Sequence, residues 1–224
     1  MNYLLWLLPI LGFAIIAPFT PFLDLQISNA FYTPGKGFVT DTSFYLFWYN
    51  YGDWPSFIVC GLSIIALVFS YFWKPLEIYR KTALLFVLVF FIGVGLIVNA
   101  LFKDLWGRPR PKQIEMFGGK YPYAPFYQPD FGWHPDKRKS FPSGHAAAGF
   151  YFLVFVRAGV IHRNKTLFYT GIILAAILGG CLSLSRVAMG GHFFSDVLAS
   201  ALIMWLTTLF FEWVIFYQNS KVQT

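Results

Sequence analysis

The chain has 224 residues, 57% hydrophobic, 21% aromatic and only 12% charged, against the roughly one-quarter charged residues of ordinary soluble domains. That composition excludes a water-soluble globular protein and points to one embedded in lipid. The net charge of +7, on so apolar a chain, fits anionic head groups at a membrane surface, and no nucleic acid is expected as a partner.

Apolar windows near the ~20 residues that cross about 30 Å of hydrocarbon occur at 3–19, 54–73, 82–102, 144–161, 166–186 and 193–216. The first lacks the basic n-region and small-residue cleavage site of a secretory signal, so it is expected to stay as a helix. Backbone groups in lipid must bond to one another, and these windows are too long and too uniformly apolar for barrel strands. The predicted fold class is therefore all-α: an integral membrane bundle of six transmembrane helices, one domain over residues 1–224, with both termini on the same side. Cys60 and Cys181 fall inside spans and read as small packing residues.

Between the spans, Lys74–Lys81 and His162–Lys165 read as short basic turns, whereas the segment from Lys103 to Phe141 far exceeds the usual length of a structureless loop. Its Trp106, Phe117, Tyr121, Tyr123, Phe126, Tyr127, Phe131 and Trp133 argue against disorder. They suggest a cap at the membrane surface, where amphipathic rings are favoured. Glu212, in the last span, reads as a carboxylate that snorkels or is protonated.

Three short segments carry the chemistry. In KDLWGRPRP, Lys103 ends the third span and Arg110 follows seven positions later, before Pro111. A lysine offers a point charge and an arginine a planar fork matched to two phosphate oxygens; the same stretch also suits a basic anchor that snorkels to head groups. Asn99, one turn earlier, is placed either to orient Lys103 or to pack helices. In Pro142-Ser143-Gly144-His145, Ser143 is a natural N-cap, and the free amides behind it make an anion cradle with His145 at its rim. In SRVAMGGHFFSD, Arg186 ends the fifth span and His192 follows a turn containing Gly190-Gly191. Asp196 lies four positions beyond His192. At that spacing the carboxylate can accept a hydrogen bond from one ring nitrogen, leaving the other nucleophilic.

Together, Lys103, Arg110 and Pro111, then Pro142, Ser143, Gly144 and His145, then Ser185, Arg186, His192 and Asp196 resemble the type 2 phosphatidic acid phosphatase superfamily of membrane lipid phosphatases, every position of its pattern being matched. The surrounding KDLWGRPRP and GGHFFSD look most like bacterial lipid A phosphatases. The resemblance implies that His192 attacks phosphorus to form a phosphohistidine and that Asp196 orients it. It also implies that His145 is the general acid-base, and that Lys103, Arg110, Ser143, Gly144 and Arg186 hold the phosphate. With these roles assigned, no metal-ligand cluster remains in the sequence, so neither a metal nor another cofactor is expected.

Orientation is poorly marked by charge. The face with Lys74, Arg80, Lys81, Arg157, Arg163, Lys165 and Lys221 holds seven of the seventeen basic residues, and the motif face holds ten. Counted so, the positive-inside rule places the motifs in the cytoplasm. Without Lys103, Arg110 and Arg186, set aside for phosphate, the count is seven against seven. The resemblance implies the opposite orientation: a multi-pass protein of the bacterial inner membrane with its site facing the periplasm and the long aromatic loop extracytoplasmic. The expected partners are the bilayer and a phosphorylated lipid, with lipid A first and undecaprenyl diphosphate, phosphatidic acid and phosphatidylglycerol phosphate as alternatives. A phosphotransferase differs only in the acceptor, and a transporter is expected to show broken spans or mid-membrane polar groups. The oligomeric state is left open.

Overall fold

The computed structural model describes residues 3–132 and 136–218. It is mostly helical, with six helices long and apolar enough to cross a membrane: Leu4–Asn29, Ser43–Phe69, Lys74–Leu105, Gly144–Ile161, Lys165–Ala188 and Phe194–Tyr217. They are taken below as spans one to six. Trp133 and Lys221, used in the sequence reading, lie outside the described residues.

The first three spans are longer than the hydropathy windows, for identifiable reasons. Span one runs on to Asn29 because Pro18 and Pro21 each stand in the opening turn of a new helical segment, where the missing N–H costs nothing. Span two begins at Ser43 and is broken by a turn at Gly52 and Asp53. Span three absorbs the expected turn Lys74–Lys81 as the 3-10 segment Lys74–Tyr79 and the first residues of the following helix.

Span four is the central helix, and small residues let its neighbours approach closely. A Cβ on Gly149 would lie 2.6 Å from Gly179 Cα, and one on Gly171 would lie 2.5 Å from Val156 N. Around it, Leu85, Val89 and Val98 of span three, Tyr151 and Val154 of span four and Met204 of span six form a fully buried core. The helix starts are set locally. Ser143 Oγ accepts from Ala146 N–H (3.3 Å) at span four, and Asn164 Oδ1 accepts from Leu167 N–H (3.0 Å) at span five.

Away from the site, Arg157 and Glu212 form a two-pronged ion pair (2.6 and 2.7 Å), 9% and 2% exposed. Glu212 therefore neither snorkels nor stands alone; it has an arginine partner from span four.

The long segment before span four is ordered, and much of its aromatic load points inward. Ile114 and Phe117 pack with Phe193 and with Phe38, which belongs to a small hairpin pairing Tyr32–Thr33 with Gly37–Phe38. The rings of Tyr32, Phe38 and Phe117 meet at 5.1 to 5.4 Å. Trp106 donates its indole N–H to Phe126 O (2.7 Å) and packs on Phe141. Tyr127 and Phe131 remain exposed.

Candidate active site

The site is framed by an ion cluster that ties spans one and six to the long loop. Arg108, 2% exposed, donates Nε–H to Ala124 O (2.9 Å) and Nη2–H to Asp24 Oδ2 (2.8 Å). Its Nη1–H donates to Ser195 Oγ (2.8 Å) and to Asp196 Oδ1. The guanidinium also lies over the Phe193 ring, 4.5 Å from its centroid. Burial opposes the charge, but the two carboxylates more than offset it and raise the Arg108 pKa. Asp24, fully buried, accepts in addition from Ser195 N–H (2.8 Å), Ser195 Oγ–H (2.7 Å) and the Tyr123 hydroxyl (2.9 Å). Burial, then the nearby Asp24 charge, pushes the Tyr123 phenol well up, so it stays a donor. Every strong donor and acceptor here is answered, the condition under which buried charges are tolerated.

Asp196 sits at the opening turn of span six, accepting from Phe193 N–H (2.7 Å) and Ser140 Oγ–H (2.6 Å) through Oδ2. His192 is 1% exposed. Its Nδ1 lies 2.5 Å from the Ser140 carbonyl oxygen and 3.8 Å from Asp196 Oδ2. The direct His192–Asp196 hydrogen bond expected from the spacing is thus replaced by a relay. Asp196 fixes the Ser140 side chain, and the Ser140 backbone fixes the ring. A carbonyl only accepts, so Nδ1 carries the proton and Nε2 keeps its lone pair. Burial pushes the His192 pKa down to about 3, which keeps the ring neutral.

The turn before His192 leaves room for a cation. Gly190 has φ +62°, a left-handed conformation suited to glycine. A Cβ on Gly191 would come within 2.3 Å of Arg186 Nη2, so the guanidinium rests against bare backbone.

Lys103 and Arg186 are both within electrostatic reach of His192 and of His145, and Arg110 of His145. Lys103, Arg110 and Arg186 also repel one another. Among the described residues none of the three forms an ion pair, in contrast to Arg108 and Arg157. Burial lowers the Arg110 pKa, and Arg110 Nε and Arg186 Nε are buried without a hydrogen-bond partner. Among the described residues Lys103 Nζ donates only to Asn99 Oδ1 (3.2 Å), while Asn99 Nδ2 donates to Val94 O (2.8 Å). Asn99 therefore holds the lysine while its amide N–H bonds back to its own helix. Its amide also lies against Gly144, where a Cβ would be 2.4 Å from Oδ1. His145 stacks on Tyr49 (5.2 Å, 18° between planes), and the Arg186 guanidinium also lies over the Tyr49 ring, 4.6 Å from its centroid. Three clustered cations without an ion pair among the described residues, next to two histidines and a helix start, form a receptor for a phosphoryl group.

The sequence profile of the PAP2 superfamily matches residues 83–220, which include all three motifs. The chain belongs to the PAP2 superfamily. Among PAP2 relatives, it is 34% identical over 210 residues to the lipid A 4'-phosphatase of Francisella tularensis subsp. novicida, covering 88% of this chain and 86% of the relative. It is 31% identical over 163 residues to the lipid A 4'-phosphatase of Rhizobium etli, covering 65% of this chain and 56% of that one. A probable lipid phosphate phosphatase 4 of Arabidopsis thaliana is 27% identical over 191 residues, covering 75% of this chain and 59% of the relative. No solved structure matches significantly. The protein is a PAP2 lipid phosphate phosphatase of the membrane.

All eight residues expected at the site lie in this region, and five further contributors were not expected: Asp24, Arg108, Ser140, Ser195 and Tyr49. Of these, only Asp24, a lone carboxylate just past the first apolar window, is a signal that the sequence itself offers.

Proposed function

We propose that this PAP2 phosphatase removes a phosphate from lipid A through a phosphohistidine on His192, without a metal, at the periplasmic face of a bacterial inner membrane. The observation that carries the mechanism is the 2.5 Å contact of His192 Nδ1 with the Ser140 carbonyl, which puts the proton on Nδ1 and leaves Nε2 free, beside three cations that form no ion pair among the described residues. In the first step the Nε2 lone pair forms a bond to phosphorus as the bond to the lipid oxygen breaks, and that oxygen takes a proton from His145. Lys103, Arg110, Arg186, the Ser143 hydroxyl and the Gly144 amide hold the equatorial oxygens, where charge gathers. In the second step water gives a proton to His145 and attacks phosphorus. The P–N bond breaks, the electron pair returns to Nε2, and inorganic phosphate leaves.

The lipid A assignment is supported by the names of the bacterial relatives, one of which aligns over most of both chains. The metal-free assignment is supported by the donor set: among the described residues no three His, Cys, Asp or Glu cluster as ligands. The test is phosphate release by purified protein from lipid A, undecaprenyl diphosphate, phosphatidic acid and phosphatidylglycerol phosphate, each with and without EDTA. Preferential release from lipid A, unaffected by chelator and accompanied by an acid-labile phosphoenzyme, is expected. Loss of activity in EDTA, restored by magnesium, overturns the metal-free mechanism, and transfer of label to an acceptor lipid in place of phosphate release reassigns the enzyme as a phosphotransferase.

A further inference from the structure

In-line displacement fixes where the rest of the substrate must lie. The attacking nitrogen and the leaving oxygen stand on opposite sides of phosphorus, so the leaving group extends away from His192, past the acid that protonates it. His145 lines a cavity of about 500 Å3, and the other walls come from span two around the Gly52–Asp53 turn. This volume falls in the range of sites for small ligands, about 300–1,000 Å3.

The lining is of two kinds. Tyr49 stacks on His145, and with it around the Gly52–Asp53 turn stand Asn50, Asp53 and Trp54, making two aromatic rings and two short polar groups; one turn farther along span two stand Phe57 and Ile58, 55% and 58% exposed. The Asp53 carboxylate caps no helix amide, has no ion pair among the described residues, and bonds only to its own backbone. The turn that presents it is fixed by packing, since a Cβ on Gly52 would lie 2.6 Å from Trp48 O and 2.7 Å from Leu182 Cδ2.

We propose that this cavity is a subsite for a glycosyl leaving group, with Asp53 and Asn50 bonding hydroxyl or amide N–H groups on the sugar edge and Tyr49 and Trp54 facing its apolar C–H surface. The inference rests on the lipid phosphatase reading above and deepens it. A diacylglycerol leaving group offers no donor at its ester-substituted positions and leaves both polar side chains unanswered. Polyprenyl diphosphate and phosphatidylglycerol phosphate fare worse: their leaving groups carry a second phosphate, which Asp53 repels. Acyl chains on the sugar continue along Phe57 and Ile58 into the bilayer.

The test measures kcat/KM for lipid A and for phosphatidic acid in mixed micelles, with purified wild type, Asp53→Ala and Asn50→Ala. The expected result is a fall of about tenfold in the lipid A to phosphatidic acid ratio for each variant, the scale of one lost hydrogen bond to a charged or polar partner. Asn50 lies on the exposed rim, so its variant provides an answer should Asp53→Ala fold poorly. A wild type that prefers lipid A, with both ratios unchanged, overturns the subsite and leaves the lipid A reading standing. A wild type that prefers phosphatidic acid overturns both.

Discussion

Asp24→Asn removes one negative charge from a fully buried position and barely changes the side chain's shape. In the native chain Asp24 accepts from the Ser195 backbone and hydroxyl, the Tyr123 hydroxyl and Arg108. An amide keeps only one acceptor oxygen and turns an NH2 toward these donors, so at least one hydrogen bond becomes a donor-to-donor contact. Among the described residues Arg108 is then left with Asp196 as its only ion-pair partner. Breaking a buried pair from one side costs ~3–5 kcal/mol, which for a chain of this size lowers Tm by roughly 10 °C. The loss should reach catalysis as well, because Arg108 holds Asp196, Asp196 holds Ser140, and Ser140 holds the His192 ring. A small misplacement of a reacting group can cost about a hundredfold, so a fall in kcat of ~10–100-fold is expected below the melting transition. Tryptophan fluorescence in detergent gives Tm, and phosphate release gives kcat. Adding Arg108→Gln should cost less in the Asp24→Asn background than in wild type, since the two share one interaction. A variant with Tm within ~2 °C and kcat within twofold of wild type, by the magnitudes above, refutes the reasoning.

Other perturbations test the site and its orientation. His192→Ala should abolish turnover, and Asp196→Asn should cost less because the nucleophile remains; an equal loss would give Asp196 a role in folding or in the chemistry itself. His192 has its pKa pushed down to about 3 by burial, against ~6.5 when unfolded. Neutral burial therefore contributes fully above pH ~6.5 and is lost as pH falls toward 3. Tm should drop between pH 7 and 4, less steeply in His192→Gln; equal slopes would assign the acid sensitivity to other groups. For topology, a cysteine placed at exposed Lys120 should react with an impermeant thiol reagent in intact spheroplasts, and one at Asn164 only after lysis. The reverse pattern would put the site in the cytoplasm, as the raw charge count has it.

The motif residues were legible because each group is contiguous in sequence and its chemistry is that of the side chain named. The frame behind them was not. Asp24 and Arg108 are 84 positions apart, and a lone carboxylate just past an apolar window reads as an interfacial charge until its partner is known. Arg108 precedes a proline just as Arg110 does, and the spacing from Lys103 selects only the second. Ser140 acts on His192 through a backbone carbonyl, a group every residue has, so no residue type could announce it. Spacing brought His192 and Asp196 together but could not tell a 3.8 Å approach from a hydrogen bond. The end of span one was misplaced because prolines mark a helix start as readily as a stop.

The Arg157–Glu212 pair bears on how the chain is assembled in the bilayer. Its halves sit on spans four and six, so the arginine enters the membrane while its carboxylate is still being synthesised. A guanidinium alone at a helix centre costs ~2.5–3.5 kcal/mol on insertion, and less near an end, where it reaches toward the interface. Span four therefore carries an arginine without this carboxylate until the last helix arrives, and closure of the pair ties the two spans together. A chain truncated before Glu212 would leave Arg157 without this partner while keeping every motif residue, so the worth of the pair can be separated from that of the active site.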